Sequence, residues 1–145
     1  MRLIVQRVRS ASVRVDGNII GEIGSGLMTL VGFTHSDTEE TVRYLADRSV
    51  KLRIFEDENG KMNRSLLDVE GGMLIVSQFT LYGDTVHGRR PGFDAAAKPE
   101  QAIKLYEQFI AEVKALGVKT ATGEFGADML VTLENDGPVT FTLEK

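Results

Sequence analysis

Short stretches of alternating or uninterrupted hydrophobic residues, broken by turn residues, dominate the first third of this chain. Residues 3–8 and 11–15 are rich in β-branched types and partly alternate, which predicts strands. Asp16-Gly17 can adopt the positive φ of a tight hairpin turn, and residues 19–23 supply the returning strand. After Gly24-Ser25-Gly26, the unbroken apolar run at 27–31 predicts a buried strand. Ser36-Asp37-Thr38-Glu39 has capping-box spacing, and Val42, Leu45, Ala46, Ser49 and Val50 then keep to one helical face. Ser49 is the one polar member of that face. A short strand is expected at 52–55, before the turn Glu58-Asn59-Gly60.

Met73-Leu74-Ile75-Val76 is a second unbroken run, so Ser77-Gln78-Phe79-Thr80-Leu81 falls where a buried strand leaves the core. The connection from Tyr82 to Lys98 contains Gly83, Gly88, Pro91 and Gly92 and exceeds the usual length, as functional loops do. Pro99 suits a first helical turn, and Ala102, Tyr106, Phe109, Val113 and Leu116 follow at helical spacing until Gly117. Met129, Val131 and Leu133 alternate, Asn135-Asp136-Gly137-Pro138 has turn chemistry, and Val139, Phe141 and Leu143 alternate again. About eight strands and two principal helices in this order predict an α+β fold on a mainly antiparallel, curved or barrel-like sheet.

Composition narrows the picture. A chain of 145 residues with 42% hydrophobic content suits one domain spanning residues 1–145. Without cysteine it has no disulfide framework, thiol nucleophile or thiolate metal site. The N-terminal Met1-Arg2-Leu3-Ile4-Val5-Gln6-Arg7 turns charged too early for a signal peptide, and no apolar run is long enough to span a bilayer. A soluble, cytoplasmic protein with no membrane partner is expected. The net charge of −4 argues against a surface wholly given to nucleic acid, yet leaves room for a local basic patch. Arg2, Arg7, Arg9 and Arg14 crowd the first strands, and Arg89-Arg90 share a loop.

Conventional catalytic sets are thin. The two histidines, His35 and His87, show no metal-binding spacing, so neither a metal, a cofactor nor a Ser-His-Asp triad is expected. Ser77, Gln78 and Thr80 put three hydrogen-bonding side chains after an apolar strand, although a strand that merely surfaces would look the same. Pro138 interrupts what would be one long hairpin, although a plain turn would also explain it.

Both segments match a known pattern. Ser-Gln-Phe-Thr-Leu at 77–81 and Asn-x-Gly-Pro-x-Thr at 135–140 resemble the D-aminoacyl-tRNA deacylases, also called D-tyrosyl-tRNA deacylases. Supporting similarity comes from Gln6-Arg7-Val8 with Ala11-Ser12-Val13, Gly60-Lys61-Met62-Asn63, Gly88-Arg89-Arg90-Pro91 and Ala127-Asp128-Met129, and covers essentially the whole chain. Gly92 and His87 depart from the serine and basic residue common there. The resemblance implies a homodimer that hydrolyses the ester joining a D-amino acid, or mischarged glycine, to the 3′ end of tRNA, a chiral proofreading step. It further implies that Gly137-Pro138 carries a cis peptide bond, enters the partner subunit's pocket and rejects L-amino acids, with Arg7 bracing it.

This chemistry has a simple geometric basis. Once the α-amino group and the ester carbonyl are fixed, D and L forms differ by exchanging Cβ with hydrogen. A rigid wall on the hydrogen side excludes L residues, tolerates any D side chain and admits glycine. Backbone carbonyls suit such a wall, because they also accept hydrogen bonds from the ammonium group. For cleavage, either Thr80 attacks, or the amides of Phe79 and Thr80 stabilise the oxyanion while water attacks with help from the ribose 2′-hydroxyl. The second route accounts for the shortage of catalytic side chains and leaves Gln78 a positioning role. Arg89, Arg90 and Lys61 are candidates for tRNA phosphates. A non-catalytic module binding RNA ends and a general esterase using Thr80 are the alternative functions.

Overall fold

Strand β1 (Arg2–Val15) is the spine of the molecule, and the computed structural model describes it with the rest of residues Met1–Lys145. Its first half pairs antiparallel with β3 (Gly26–Gly32), and its second half with β2 (Asn18–Ile23). Along nearly its whole length it also pairs with β8 (Leu130–Glu144). Parallel pairings add β6 (Gly72–Ser77) beside β3 and β7 (Lys119–Thr122) beside β6. Helices α1 (Glu39–Lys51) and α2 (Pro99–Ala115) cover one face. A small hairpin of β4 (Phe55–Glu56) and β5 (Met62–Arg64) stands apart.

The sheet curls until β2 approaches β7 and nearly closes a barrel. At the seam a Cβ on Gly21 would lie 2.6 Å from the Thr122 carbonyl oxygen. Because that neighbour is backbone, Gly21→Ala must part the two strands. We expect a loss of about 1 to 3 kcal/mol of stability, read as a lower urea midpoint at unchanged slope.

The hydrophobic pattern explains the layers. Leu3, Val5, Leu27, Val31, Met73 and Ile75 point toward the helices and join Leu45, Val50 and Phe109 in the larger core. Met28, Leu74 and Val76 point the other way, into a smaller core with Val8, Ala11 and Val13. Strands β3 and β6 are thus buried on both faces, as their unbroken apolar runs require. In β1 the inward parity changes between Val5 and Ala11, where the register with β8 shifts twice. What reads as two strands is therefore one bent strand.

Asp16 and Gly17 have φ of 49° and 80°, so the first hairpin forms as expected. Ser49 is fully buried and donates to the Ala46 carbonyl, which accounts for a polar residue on the apolar face of α1. The capping box is not formed. Thr38 caps α1 by accepting from the Thr41 amide, because Ser36 lies in a turn closed by the Asp37 amide on the Thr34 carbonyl and the helix starts only at Glu39. Of the strand expected at 52–55 only Phe55 pairs, together with Glu56 beyond it, since Leu52 ends α1 and the buried Ile54 has no ladder partner. The hairpin that follows turns through Gly60, with the Asp57 carboxylate accepting from the amides of Asn59 and Lys61. The Asn135 to Pro138 segment does not reverse the chain; β8 stays on β1 before and after it.

Candidate functional site

Parallel strands β3 and β6 end side by side, and the chain leaving them builds a cleft of about 740 Å³. Its walls are mainly apolar, with Val31, Phe79, Phe93, Phe125 and Met129, while Ser77, Gln78, Lys98 and Asp128 add polar groups. Phe79 and Phe93 meet edge-on with ring centroids 5.0 Å apart, yet Phe79 is 58% exposed. A hollow of similar size, about 760 Å³, lies over the start of α2 beside Glu39. It is open and lined by charged and amide side chains with one apolar residue, so it offers no sheltered surface for an organic ligand.

Phe79–Tyr82 forms one turn of 3-10 helix directly after β6. The Gln78 amide donates to the Val31 carbonyl at 2.8 Å, and the Leu81 amide turns back to the Gln78 carbonyl at 3.3 Å. Between them, the amides of Phe79 and Thr80 stand at the open start of the turn. Gln78 gives them no side-chain cap; its carboxamide nitrogen donates to the Thr80 hydroxyl. Arg2 steadies the far end of the turn. It donates to the Leu81 carbonyl, lies 4.8 Å from the centroid of the Tyr82 ring and pairs with Glu144 at 2.8 Å.

No base serves Thr80. Its side chain lies outside the lining of the cleft, and so do both histidines. His35 contacts the Asp94 carbonyl and His87 contacts the Asp84 carboxylate, both on the surface. Burial pushes the Tyr82 hydroxyl up to about 12, with Asp37 and Glu144 adding to the shift against Arg2. It stays protonated at neutral pH and cannot accept a proton there.

The second predicted segment is a protruding bulge. Val8 pairs with Asn135 and Gln6 with Thr140, so residues 136–139 lie opposite Arg7 alone. The Gly137-Pro138 bond is cis, Gly137 has φ of 141°, and both residues are exposed. Beneath them the buried Arg7 donates to the carbonyls of Asp136 at 2.9 Å and Ile54 at 2.7 Å. Arg7 is therefore internal and cannot meet a phosphate. Arg9 pairs with Asp136 at 3.2 Å, whereas Arg89, Arg90 and Lys61 form no ion pair within the chain.

One chain does not bring the two segments together. Arg7, opposite the bulge, is level with Leu27 and Met73; Met73 lies four residues before Ser77, on a strand three steps across the sheet from β8. At ordinary sheet spacings that is roughly 20 Å.

Comparison with known proteins decides the family. Residues 4–144 match the model described as D-Tyr-tRNA(Tyr) deacylase. The chain belongs to that family. It is 61% identical over 144 residues to a D-aminoacyl-tRNA deacylase of Bacillus licheniformis, covering 99% of this chain and 98% of that protein. Against the protein of the same name from Clostridioides difficile it is 56% identical, with 99% and 97% covered. A solved structure called c-Myc DNA Unwinding Element Binding Protein superposes with a TM-score of 0.94 at 39% identity, covering 100% of this chain and 99% of the other. A probable eukaryotic D-amino acid tRNA deacylase shares the fold, with a TM-score of 0.86 at 20% identity and coverage of 98% and 97%.

In this deacylase the predicted residues form two groups. Ser77, Gln78 and Phe79 line the cleft with Thr80 beside it, while Arg7, Gly137 and Pro138 form the bulge. Phe93 went unnoticed in sequence, although an aromatic residue in a long loop rich in glycine and polar residues is itself a signal. Arg2 was read as part of a basic patch, but its guanidinium is held by the Leu81 carbonyl and Glu144.

Proposed function

We propose that this deacylase hydrolyses the ester between a D-amino acid and the 3′ end of tRNA in the cytoplasm, and also accepts glycine mischarged to tRNA. The observation that carries the mechanism is the pair of unengaged amides at Phe79 and Thr80 beside a mainly apolar cleft that neither histidine lines. Water adds to the ester carbonyl carbon, and its oxygen, now negative, lies against these two amides. The carbon–oxygen bond to the ribose then breaks, and the ribose oxygen leaves with a proton relayed through the neighbouring 2′-hydroxyl. One oxyanion donor is worth roughly 3 to 4 kcal/mol, so two account for a large part of the acceleration. The exposed Phe79 and Phe93 rings suit stacking against the terminal base. Arg89, Arg90 and Lys61 have free charges for nearby phosphates.

Handedness requires the bulge to reach the cleft, and about 20 Å of sheet separates them in one chain. A homodimer solves this, because the exposed Gly137-Pro138 of one copy can enter the cleft of the other. Its carbonyls would accept from the substrate ammonium group and close the side where an L residue carries Cβ.

Incubation with matched D- and L-aminoacyl-tRNAs tests the proposal: only the D-amino acid should be released, with free tRNA as co-product. Binding without release would indicate an RNA-end module, and equal cleavage of simple activated esters a general esterase. Thr80→Ala should retain most of its turnover, because the main-chain amide remains. Single-turnover kinetics check this, and a loss of several orders of magnitude in a folded variant would restore Thr80 as the nucleophile.

A further inference from the structure

We propose that Asn135 is a positioning residue that fixes the shape of the Gly137-Pro138 loop and, through it, the discrimination between D and L substrates. The second half of this proposal rests on the function argued above. Four residues opposite one cannot all find ladder partners on β1, so the polar groups at the base of the bulge need another source. The Asn135 carboxamide supplies it. Its Oδ1 accepts from the Val139 amide at 2.6 Å, while its Nδ2 donates to the Val139 carbonyl at 3.2 Å and the Thr140 hydroxyl at 3.0 Å. The Val139 amide can only donate, which fixes the orientation of the carboxamide.

One planar side chain thus imitates a strand partner for both backbone groups of Val139. Few residues can do this. Serine lacks a second polar atom to span the two groups, and aspartate keeps the acceptor but loses the donors. The loop is then held from both ends: Arg7 takes the Asp136 carbonyl, and Asn135 takes Val139, whose side chain is buried in the larger core. Gly137 and Pro138 are presented between these fixed points. The Thr140 hydroxyl, which also accepts from Gln6 at 3.4 Å, completes the clamp. Asn135, Gly137, Val139 and Thr140 therefore each have a mechanical part in one device.

The test compares wild-type protein with Asn135→Ala and Asn135→Asp, each checked for folding by circular dichroism. The ratio of kcat/KM for D- over L-aminoacyl-tRNA should fall roughly tenfold to a hundredfold in Asn135→Ala, as expected when a wall loosens by about an ångström and lets an L residue in. Asn135→Asp, which keeps the acceptor, should recover part of the ratio. An unchanged ratio in folded Asn135→Ala would overturn the proposal, because a merely structural asparagine would lower stability and leave selectivity intact. Hydrogen exchange of the Val139 amide gives a second measure that needs no variant to fold. It should be strongly protected in the wild type, and free exchange there would overturn the clamp. Wild-type protein that cleaves neither ester would defeat the functional reading, while Val139 exchange would still decide whether Asn135 holds the loop.

Discussion

Arg7→Ala should lower stability by about 3 to 5 kcal/mol and abolish chiral selection in whatever protein remains folded. Arg7 is 5% exposed and its guanidinium joins two carbonyls that belong to different elements, Ile54 before the β4–β5 hairpin and Asp136 in the β8 bulge. Removing it leaves both carbonyls without a donor, and each unsatisfied buried group costs about 1 to 3 kcal/mol. Glu56 at 3.8 Å and Asp136 at 3.9 Å also lose a cation. For a domain of this size 1 kcal/mol shifts the melting midpoint by about 2 to 4 °C, so a fall of roughly 10 °C is expected by calorimetry. Arg7→Lys should recover only part, because an ammonium lacks the fork that spans two acceptors. An unchanged midpoint in Arg7→Ala would show that water or a rearranged side chain replaces the guanidinium.

Much of the fold was legible because its elements obey local rules. Asp16-Gly17 has the conformation its turn chemistry demands, and the buried residues of α1 are those of the predicted apolar face. Strand β7 escaped because Lys119-Thr120-Ala121-Thr122 is short and carries no apolar alternation, being held by pairing to β6. The parallel pairings had a trace in sequence: the unbroken runs in β3 and β6 are those of strands buried on both faces. The Asn135 segment misled for a physical reason. The carboxamide that makes asparagine a turn former is spent on Val139, four residues on, so the chain bulges and returns to the same partner.

The site was legible as two motifs but not as a geometry. Nothing local in Ser77 to Leu81 shows that the chain tightens into a 3-10 turn with two free amides, because the turn starts where the Gln78 amide is held by the Val31 carbonyl of the neighbouring strand. Nor does sequence order reveal that the two motifs lie on distant parts of one sheet, since the register of β8 on β1 and of β3 on β6 sets their separation. Arg7 was grouped with other basic residues of the first strands; it is buried because it shares the facing of Leu3 and Val5, ahead of the point where β1 changes parity.

Gly137→Ala should cut D-aminoacyl-tRNA hydrolysis by about a hundredfold while costing only about 1 to 3 kcal/mol of stability. The residue has φ of 141°, and an added Cβ would lie 2.6 Å from Val139 Cγ2, 3.1 Å from the Val139 amide nitrogen and 3.3 Å from Arg7 Nη2. Val139 cannot yield freely, because its side chain is packed in the larger core and its amide is bound to Asn135. The exposed loop must move instead, which disturbs the selecting surface more than the core. The expected signature therefore differs from that of Asn135→Ala. Loosening the clamp lets an L residue in and lowers the D over L ratio, whereas a misplaced wall obstructs both forms and lowers the rate. Single-turnover assays on both esters, with chromatography to confirm the oligomer, separate the two. Gly137→Ala with wild-type turnover would mean that the loop does not face the substrate, and the two-subunit site would fall with it.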